Sequence, residues 1–364
     1  MKNANLTRAK STKNDEFYTQ WADIEKEVQA YLEYNPDVFR GKTVLCPCDD
    51  PYESNFFKYF ALSFNVLGLK KLIATCYAGS PIANTQLSLF DYEEEDDKTT
   101  KAPHKIIVNE GIDENNDGVF NLDDIIESLA KNKKNTITKL DGNGDFRSEE
   151  VISLRNEADI IITNPPFSLF REFLVWILEA DKDFLIIGNM NAITYKEVFP
   201  LIKDNKLWLG NGFNAGNAYF ATPSADSYGE GVYNPDTGLV KFRNCCWFTN
   251  LDHGRRHQPL PLLSMADNLK FSRHKEIRGK AYAQYDNYKA IEVPYTDAIP
   301  DDYNEVMGVP ISFLHKYCPE QFEIIGASDN GAIDDIYKLP HFKTHNEPYV
   351  QGKKQYKRIF IKRK

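Results

Sequence analysis

What the chain lacks narrows its class first. Its six cysteines (Cys46, Cys48, Cys76, Cys245, Cys246 and Cys318) form no CxxC pair and no Cys/His ligand spacing. That removes zinc-finger and disulfide-scaffold architectures, so no metal site is assigned and reduced, mostly buried thiols in a cytoplasmic protein are expected. No apolar run approaches the roughly 18–20 residues that cross a bilayer. The opening MKNANLTRAKSTKNDEF has charge with no apolar stretch behind it, so neither a secretory leader nor a membrane partner is expected. No repeat is visible, which excludes solenoids and propellers. No Ser/His/Asp or Cys/His spacing supports a nucleophilic hydrolase.

The chain has 364 residues, with 23 Phe and 20 Tyr to fill a core. That length predicts two domains at roughly 100–200 residues each. The net charge of −9 argues against a polyanion partner only until its distribution is read. Residues 91–127 hold three Lys/Arg against thirteen Asp/Glu, a net of −10, whereas residues 251–364 hold eighteen against fifteen, a net of +3. One acidic stretch makes the chain look acidic, and local basic clusters elsewhere remain able to meet phosphate.

Periodicity predicts alternating strands and helices through about residue 205. Trp21, Ile24, Val28, Tyr31 and Leu32 recur at helical spacing, and TVLCPC (43–48), LIATCY (72–77), KIIVN (105–109), DIIIT (159–163) and FLIIG (184–188) read as strands. Ser54 is expected to cap a helix over 54–64, further helices are expected over 122–132 and 168–180, and NAYFAT (217–222) and LVKFRNCCWFT (239–249) read as later strands. Such alternation implies a largely parallel sheet covered on both faces. A shift to short polar segments, prolines and basic clusters near residue 251 sets the expected boundary between a domain over 1–250 and one over 251–364.

Asn164-Pro165-Pro166-Phe167 carries the chemistry. It follows the strand DIIIT and precedes an amphipathic helix, and ligands of open parallel sheets bind at the carboxyl ends of strands. The prolines fix φ near −65° and remove N–H donors, so the corner is stiff and rich in free carbonyls. The Asn164 amide oxygen and a neighbouring carbonyl are two acceptors for the two hydrogens of a planar exocyclic amine. Accepting both draws the nitrogen lone pair out of conjugation, and Phe167 can stack on the ring. The bland reading is a strand-to-helix turn with proline as helix starter.

With NDEFYTQ (14–20), VLCPCDDPYESNFFKYF (44–60), GDFRSEE (144–150), ADIIITNPPFSLFREF (158–173), FLIIGNMNAITYKEVFPLI (184–202), WFTNLDHGRRH (247–257), GVPISFLHKYCPEQFEIIG (308–326) and YKRIFIKRK (356–364), the chain resembles the EcoRI-type adenine-specific DNA methyltransferases over nearly its whole length. That resemblance implies a Rossmann-like class I methyltransferase fold with a mixed seven-stranded sheet, and a smaller C-terminal α+β target-recognition region. It implies transfer of a methyl group from S-adenosyl-L-methionine to N6 of a flipped adenine in double-stranded DNA. The implied role is restriction-modification, with a cognate restriction endonuclease as partner, or phage or orphan modification without one; a monomer is expected. The resemblance assigns catalysis to Asn164, Pro165, Pro166 and Phe167. Cofactor binding falls to Phe17, Tyr18, Thr19, Pro47, Asp49, Asp50, Asp145 and Phe146, and DNA binding to Arg255, Arg256, His257 and Lys275. The alternatives are the same chemistry on RNA or on a protein glutamine amide, or a DNA-binding module without catalysis.

Two features depart from the family pattern. No glycine lies between Gly41 and Gly68, where a glycine-rich cofactor loop is usual, and LIATCYAG (72–79) ends in no acid to hold a ribose. Asp49 or Asp50 is the expected substitute, against the plainer reading of a solvated loop that caps the next helix. Asp113, Asn115, Asp117, Gly118 and Asp124 nearly fit a calcium loop, but the last position is Asp and polar turns make such patterns readily. Lys270, Arg273, Lys275, Arg278 and Lys280 recur every two or three residues, and seven of residues 353–364 are Lys or Arg. Both clusters are candidate phosphate contacts or solvated charge.

Overall fold

The computed structural model describes residues 17–48, 54–76, 103–114, 117, 120–131, 134–213, 217–222, 225–328, 337–339 and 347–364. Asp49 and Asp50 lie outside the described residues, as does the acidic run 91–97. By its internal contacts the chain divides into one unit of residues 1–189 and 212–251 and a second of residues 190–211 and 252–364. Each is a mixture of helices with parallel and antiparallel strands.

In the first unit the strands are β1 (Tyr18–Thr19), β2 (Thr43–Cys46), β3 (Lys71–Thr75), β4 (His104–Val108), β5 (Thr136–Lys139), β6 (Ile160–Thr163), β7 (Asp183–Asn189), β8 (Asn217–Ala221), β9 (Tyr233–Asn234), β10 (Leu239–Arg243) and β11 (Cys245–Thr249). The longer helices are α1 (Trp21–Tyr34), α2 (Asn55–Leu62), α3 (Leu122–Lys131), α4 (Glu149–Glu157) and α5 (Phe170–Leu178), and a single turn over Phe64–Leu67 follows α2. The principal sheet runs β5-β4-β3-β2-β6-β7-β11 through this unit. Strands β3, β2, β6 and β7 are mutually parallel, and β4, β5 and β11 are antiparallel to their neighbours. All four residues of β6 are fully buried, as expected of a strand covered on both faces.

After β2 the chain steps to β3 on one side, then returns to β6 on the other. The carboxyl ends of β2 and β6 therefore flank the point where strand order reverses, the place where open α/β sheets hold ligands.

Several elements follow from local chemistry. Ser54 caps α2 by accepting from the Phe56 amide at 3.1 Å. Asn121 accepts from the Asp123 amide at 2.7 Å while Asp124 reaches back to the Asn121 amide at 2.8 Å, a reciprocal capping box that starts α3. Asp124 is fully buried and also accepts from the Glu114 amide at 3.0 Å, so this end of the calcium-like pattern serves helix capping. Helix α4 has little apolar periodicity, because its solvent side is charged and only Val151, Leu154 and Arg155 are buried. The stretch 239–249, expected as one strand, is two: Asn244 takes φ 62° between β10 and β11. Asn tolerates the left-handed region better than most side chains, and one such residue sends the two halves into different sheets.

A second antiparallel sheet of the same unit, β1-β8-β10-β9, places Tyr18 opposite Ala221 and Thr19 opposite Phe220. Cys46, Cys76, Cys245, Cys246 and Cys318 are buried. Burial pushes the Cys245 thiol up to about 12, which keeps it protonated and inert.

The second unit is built on a sheet of β12 (Ile291–Glu292), β13 (Met307–Pro310), β14 (Phe322–Ala327) and β15 (Arg358–Arg363) in the order β12-β13-β15-β14. The centre of the basic end, residues 358–361, is thus core, while Lys353, Lys354 and Lys364 are exposed. Ile359, Phe360 and Ile361 are fully buried, and Arg358 lies buried against Glu292 at 2.6 Å. A buried, bidentate pair of this kind leaves Arg358 no role as a solvated charge. Among the described residues no helix is long and apolar enough to cross a membrane.

Candidate active site

Strand β6 delivers its last residue, Thr163, to the carboxyl edge of the sheet, and Asn164 follows directly. Pro165 is buried, and the Pro166 carbonyl accepts from the Leu169 amide at 2.9 Å, closing a 3-10 turn over Phe167–Leu169 that feeds α5. The prolines impose this corner: neither can donate to a ladder, and each fixes its own φ.

The Asn164 amide is held from one side only. Its Nδ2 donates to the Phe17 carbonyl oxygen at 2.6 Å. Its Oδ1 is buried and accepts nothing. The orientation is chemically forced, because a carbonyl oxygen can only accept and so must face the NH2 end. A buried acceptor without a donor costs about 1–3 kcal/mol, and orphaned groups of this kind gather where catalysis needs them.

Phe167 is half-buried in a box of rings. It stacks on Phe17 with centroids 5.5 Å apart and planes 25° from parallel. Phe220 and Phe242 stand edge-on to it at 6.1 and 6.0 Å. Phe17 in turn meets Phe242 at 4.6 Å, Phe220 at 5.8 Å and Tyr228 at 6.3 Å. Sequence reasoning missed Phe220, Tyr228 and Phe242. Phe220 and Phe242 sit in unremarkable strands that only the pairing of β1, β8 and β10 brings to the corner, and Tyr228 follows a 3-10 turn over Ala225–Ser227.

The Phe17–Thr19 segment is pinned at both ends, by Asn164 on the Phe17 carbonyl and by the Asn55 Nδ2 on the Thr19 carbonyl at 2.8 Å. Thr19 is 2% exposed and its Oγ1 has no hydrogen-bond partner. Phe17, Tyr18 and Thr19 thus lie between the segment leaving β6 and the start of α2.

The carboxyl ends of β2 and β3 are tied together where Thr75 Oγ1 donates to the Pro47 carbonyl at 3.0 Å. The 143–147 loop joins them there. Gly144 has φ 76°, and a Cβ on it would fall onto the Cys76 carbonyl oxygen. Asn143 accepts from the Asp145 amide at 3.0 Å, and Asp145 takes the Arg147 guanidinium at 2.6 and 2.8 Å. Those hydrogen bonds hold the Asp145 carboxyl below the usual carboxylate range. Phe146 is 5% exposed and stands edge-on to Phe173 at 5.1 Å and Trp176 at 5.6 Å. Asp145 presents a charged edge of this loop while Phe146 packs beneath it.

The basic candidates belong to the second unit and differ from one another. His253 is buried, and burial beside Arg256 and Arg255 pushes its imidazole down to about 4. Arg255 donates to the Asn211 carbonyl. Arg256 is 6% exposed, with its guanidinium 3.6 Å above the Trp208 ring and hydrogen bonds to Asp252 at 2.8 Å and Asn205 at 2.5 Å. His257 lies between Asp252 at 3.0 Å and Glu320 at 2.9 Å. Partial burial disfavours its charge, but the two carboxylates outweigh that and raise its pKa. Lys275 is exposed.

Arg256 therefore has internal work. Arg256→Ala is expected to destabilise the protein by roughly 2–3 kcal/mol, from lost charge-assisted hydrogen bonds and a desolvated cation–π contact. Thermal unfolding checks this: an unchanged midpoint would return Arg256 to the solvent-facing arginines.

Comparison with known proteins adds to this geometry. A family model described as "Adenine-specific methyltransferase EcoRI" matches residues 5–364. The chain is 43% identical to the Type II methyltransferase M.EcoRI of Escherichia coli, over 99% of this chain and 96% of that protein. It is 33% identical to the Type II methyltransferase M.MpnI of Mycoplasma pneumoniae, over 99% of this chain and 98% of the other. With the Type II methyltransferase M.MgeORF184P of Mycoplasma genitalium the identity is 34%, over 98% of each. No solved structure matches the chain significantly.

Proposed function

The chain belongs to the adenine-specific methyltransferase EcoRI family, and from that premise we propose a site-specific DNA methyltransferase that modifies N6 of adenine in duplex DNA, with S-adenosyl-L-methionine as methyl donor. The observation that carries the assignment to this corner is the buried, unpartnered Asn164 Oδ1. An exocyclic amine is the kind of group that would satisfy it.

We read the sheet around β3-β2-β6-β7 as a Rossmann-like, class I methyltransferase sheet of seven strands, and the first unit as the catalytic domain. The second unit is assigned to DNA target recognition, and the protein would serve restriction-modification beside a cognate nuclease or act as a phage or orphan modification enzyme. We place the protein in the cytoplasm with its DNA.

The chain's own residues fit the proposed donor. Thr19 Oγ1 is a buried hydroxyl left without a protein partner beside the start of α2. The 143–146 loop reaches the carboxyl end of β3 only because Gly144 lacks a side chain. Phe17, Tyr18, Thr19, Pro47, Asp145 and Phe146 would hold it, and Asp49 and Asp50, outside the described residues, are assigned to it from sequence alone. When bound, S-adenosyl-L-methionine supplies a sulfonium methyl group open to in-line attack.

A target adenine is stacked and paired in duplex DNA, so it must leave the helix at a cost of a few kcal/mol. Asn164 Oδ1 then accepts one N6 hydrogen and the Pro165 carbonyl the other. With both hydrogens held, the nitrogen lone pair would turn out of the ring's π-system and become available for attack. Phe167, stacked on Phe17, is the ring of this corner that would meet the base. No strong base is required: the N6 proton leaves only after the new bond has made the nitrogen cationic, and such an acidic N–H gives its proton up to water. Fixed acceptors and held orientation supply most of the rate.

Sequencing DNA from cells with and without this gene, for N6-methyladenine, tests the reading. Methylation at one short sequence only when the gene is present is the expected result. Unmodified DNA with a methylated RNA or protein glutamine would transfer the same corner chemistry to another substrate.

A further inference from the structure

The second unit carries a surface that the mechanism above does not use. Helix α6 (Met265–Phe271) is capped by Ser264, whose Oγ accepts from the Asp267 amide at 3.0 Å. Its last residue, Phe271, is 62% exposed, the only phenylalanine among the described residues to stand in solvent to that degree. Lys270 Nζ lies 4.9 Å from the centre of its ring. Arg273, Lys275, Arg278 and Lys280 follow, all exposed.

The segment is braced. The Gly279 amide returns to the Leu269 carbonyl at 2.8 Å, folding the loop back on the helix. Ile277 is 3% exposed and anchors its middle. His274 lies flat on Tyr295 with centroids 3.7 Å apart and bonds Asp297 at 2.8 Å. Asp297 also pairs with Arg273 at 2.8 Å. The one carboxylate of the stretch, Glu276, is engaged by the Tyr295 hydroxyl. Lys275, Arg278 and Lys280 are exposed cations on the same braced segment as the exposed ring.

An apolar ring left in water forfeits the free energy of its burial. The cations around it disfavour an apolar protein partner and favour a polyanion. Nucleic acid offers both halves of the match: phosphates for the cations and π-faces or opened base steps for the ring. We propose that residues 270–280 form a DNA-contacting surface in which Phe271 stacks on, or wedges between, bases of the bound duplex while Lys275, Arg278 and Lys280 meet flanking phosphates. This rests on the DNA-methyltransferase reading and adds a base-contacting residue to it.

Phe271→Ala, Phe271→Trp and a Lys275→Gln/Arg278→Gln double variant test it against a duplex carrying the methylated sequence, at several salt concentrations. Phe271→Ala is expected to weaken duplex binding about tenfold or more, without changing the salt slope, the unfolding midpoint or the affinity for S-adenosyl-L-methionine. Phe271→Trp should retain binding, and its indole fluorescence should quench on adding duplex. The double variant should lower the salt slope by about one unit per charge removed. Phe271→Ala binding within twofold of the parent would overturn the proposal while leaving the methyltransferase reading intact. A parent protein with no duplex affinity would overturn both.

Discussion

Asn164→Ala is expected to lose methyl transfer by a factor of about 10²–10³ or more in turnover, while S-adenosyl-L-methionine affinity stays within a few fold. The loss compares with removing one preorganised partner of a developing charge, which typically costs that much. The same variant should unfold no earlier than the parent. It deletes a 2.6 Å hydrogen bond to the Phe17 carbonyl, but it also deletes a buried acceptor that has no donor. A residue kept for function at the expense of stability shows this signature. Single-turnover rates with duplex DNA, cofactor titration and thermal unfolding together decide it. Turnover near that of the parent would remove Asn164 from the mechanism.

Asn164→Asp sharpens the point. A carboxylate there would set an oxygen against the Phe17 carbonyl, acceptor facing acceptor. Protonated, it could donate to Phe17 and still accept from N6. Burial and the facing carbonyl both raise the pKa of such a group, so the residual activity of this variant should increase as pH falls. A flat pH profile would show that the Phe17 carbonyl does not orient the side chain.

Gly144→Ala is the second substitution with a large expected effect. At φ 76° any Cβ is strained, and here it would strike the backbone carbonyl of Cys76, which cannot swing aside as a side chain tip would. The loop must shift or the end of β3 must give, at roughly 1–3 kcal/mol. Because Asp145 and Phe146 ride on that loop, cofactor affinity should fall about tenfold or more together with the unfolding midpoint. Gly229, which has open space around its Cα, provides the control: Gly229→Ala should change neither. Calorimetric titration of S-adenosyl-L-methionine into the two variants separates the cases, and an undiminished affinity in Gly144→Ala would detach the 143–146 loop from the cofactor.

Much of the fold was legible because its signals are local. DIIIT could only be a buried strand, Ser54 a cap, and Phe170–Leu178 an apolar-faced helix. The reading of 239–249 as one strand failed at a single residue, since both halves are β-like and only the backbone angle of Asn244 divides them. At the basic end the flanking charges drew attention from the triplet between them: Ile359, Phe360 and Ile361 fill the interior. Arg255 and Arg256 are adjacent and chemically alike in sequence, yet Arg256 lies over Trp208, nearly fifty residues earlier in the chain.

The amino-acid order by itself determined the corner: two prolines after a β-branched strand stiffen the backbone wherever that strand ends, and an asparagine before them brings an amide to the spot. It also determined the alternation that makes the central sheet parallel. Tertiary structure decided what the amide does. Only when β1 pairs with β8, 200 residues away, does the Phe17 carbonyl meet Nδ2 and leave Oδ1 turned free. Local sequence sets dihedral preference and hydrophobic period; which buried polar atom finds a partner depends on contacts between distant segments, and those exist only in the folded chain.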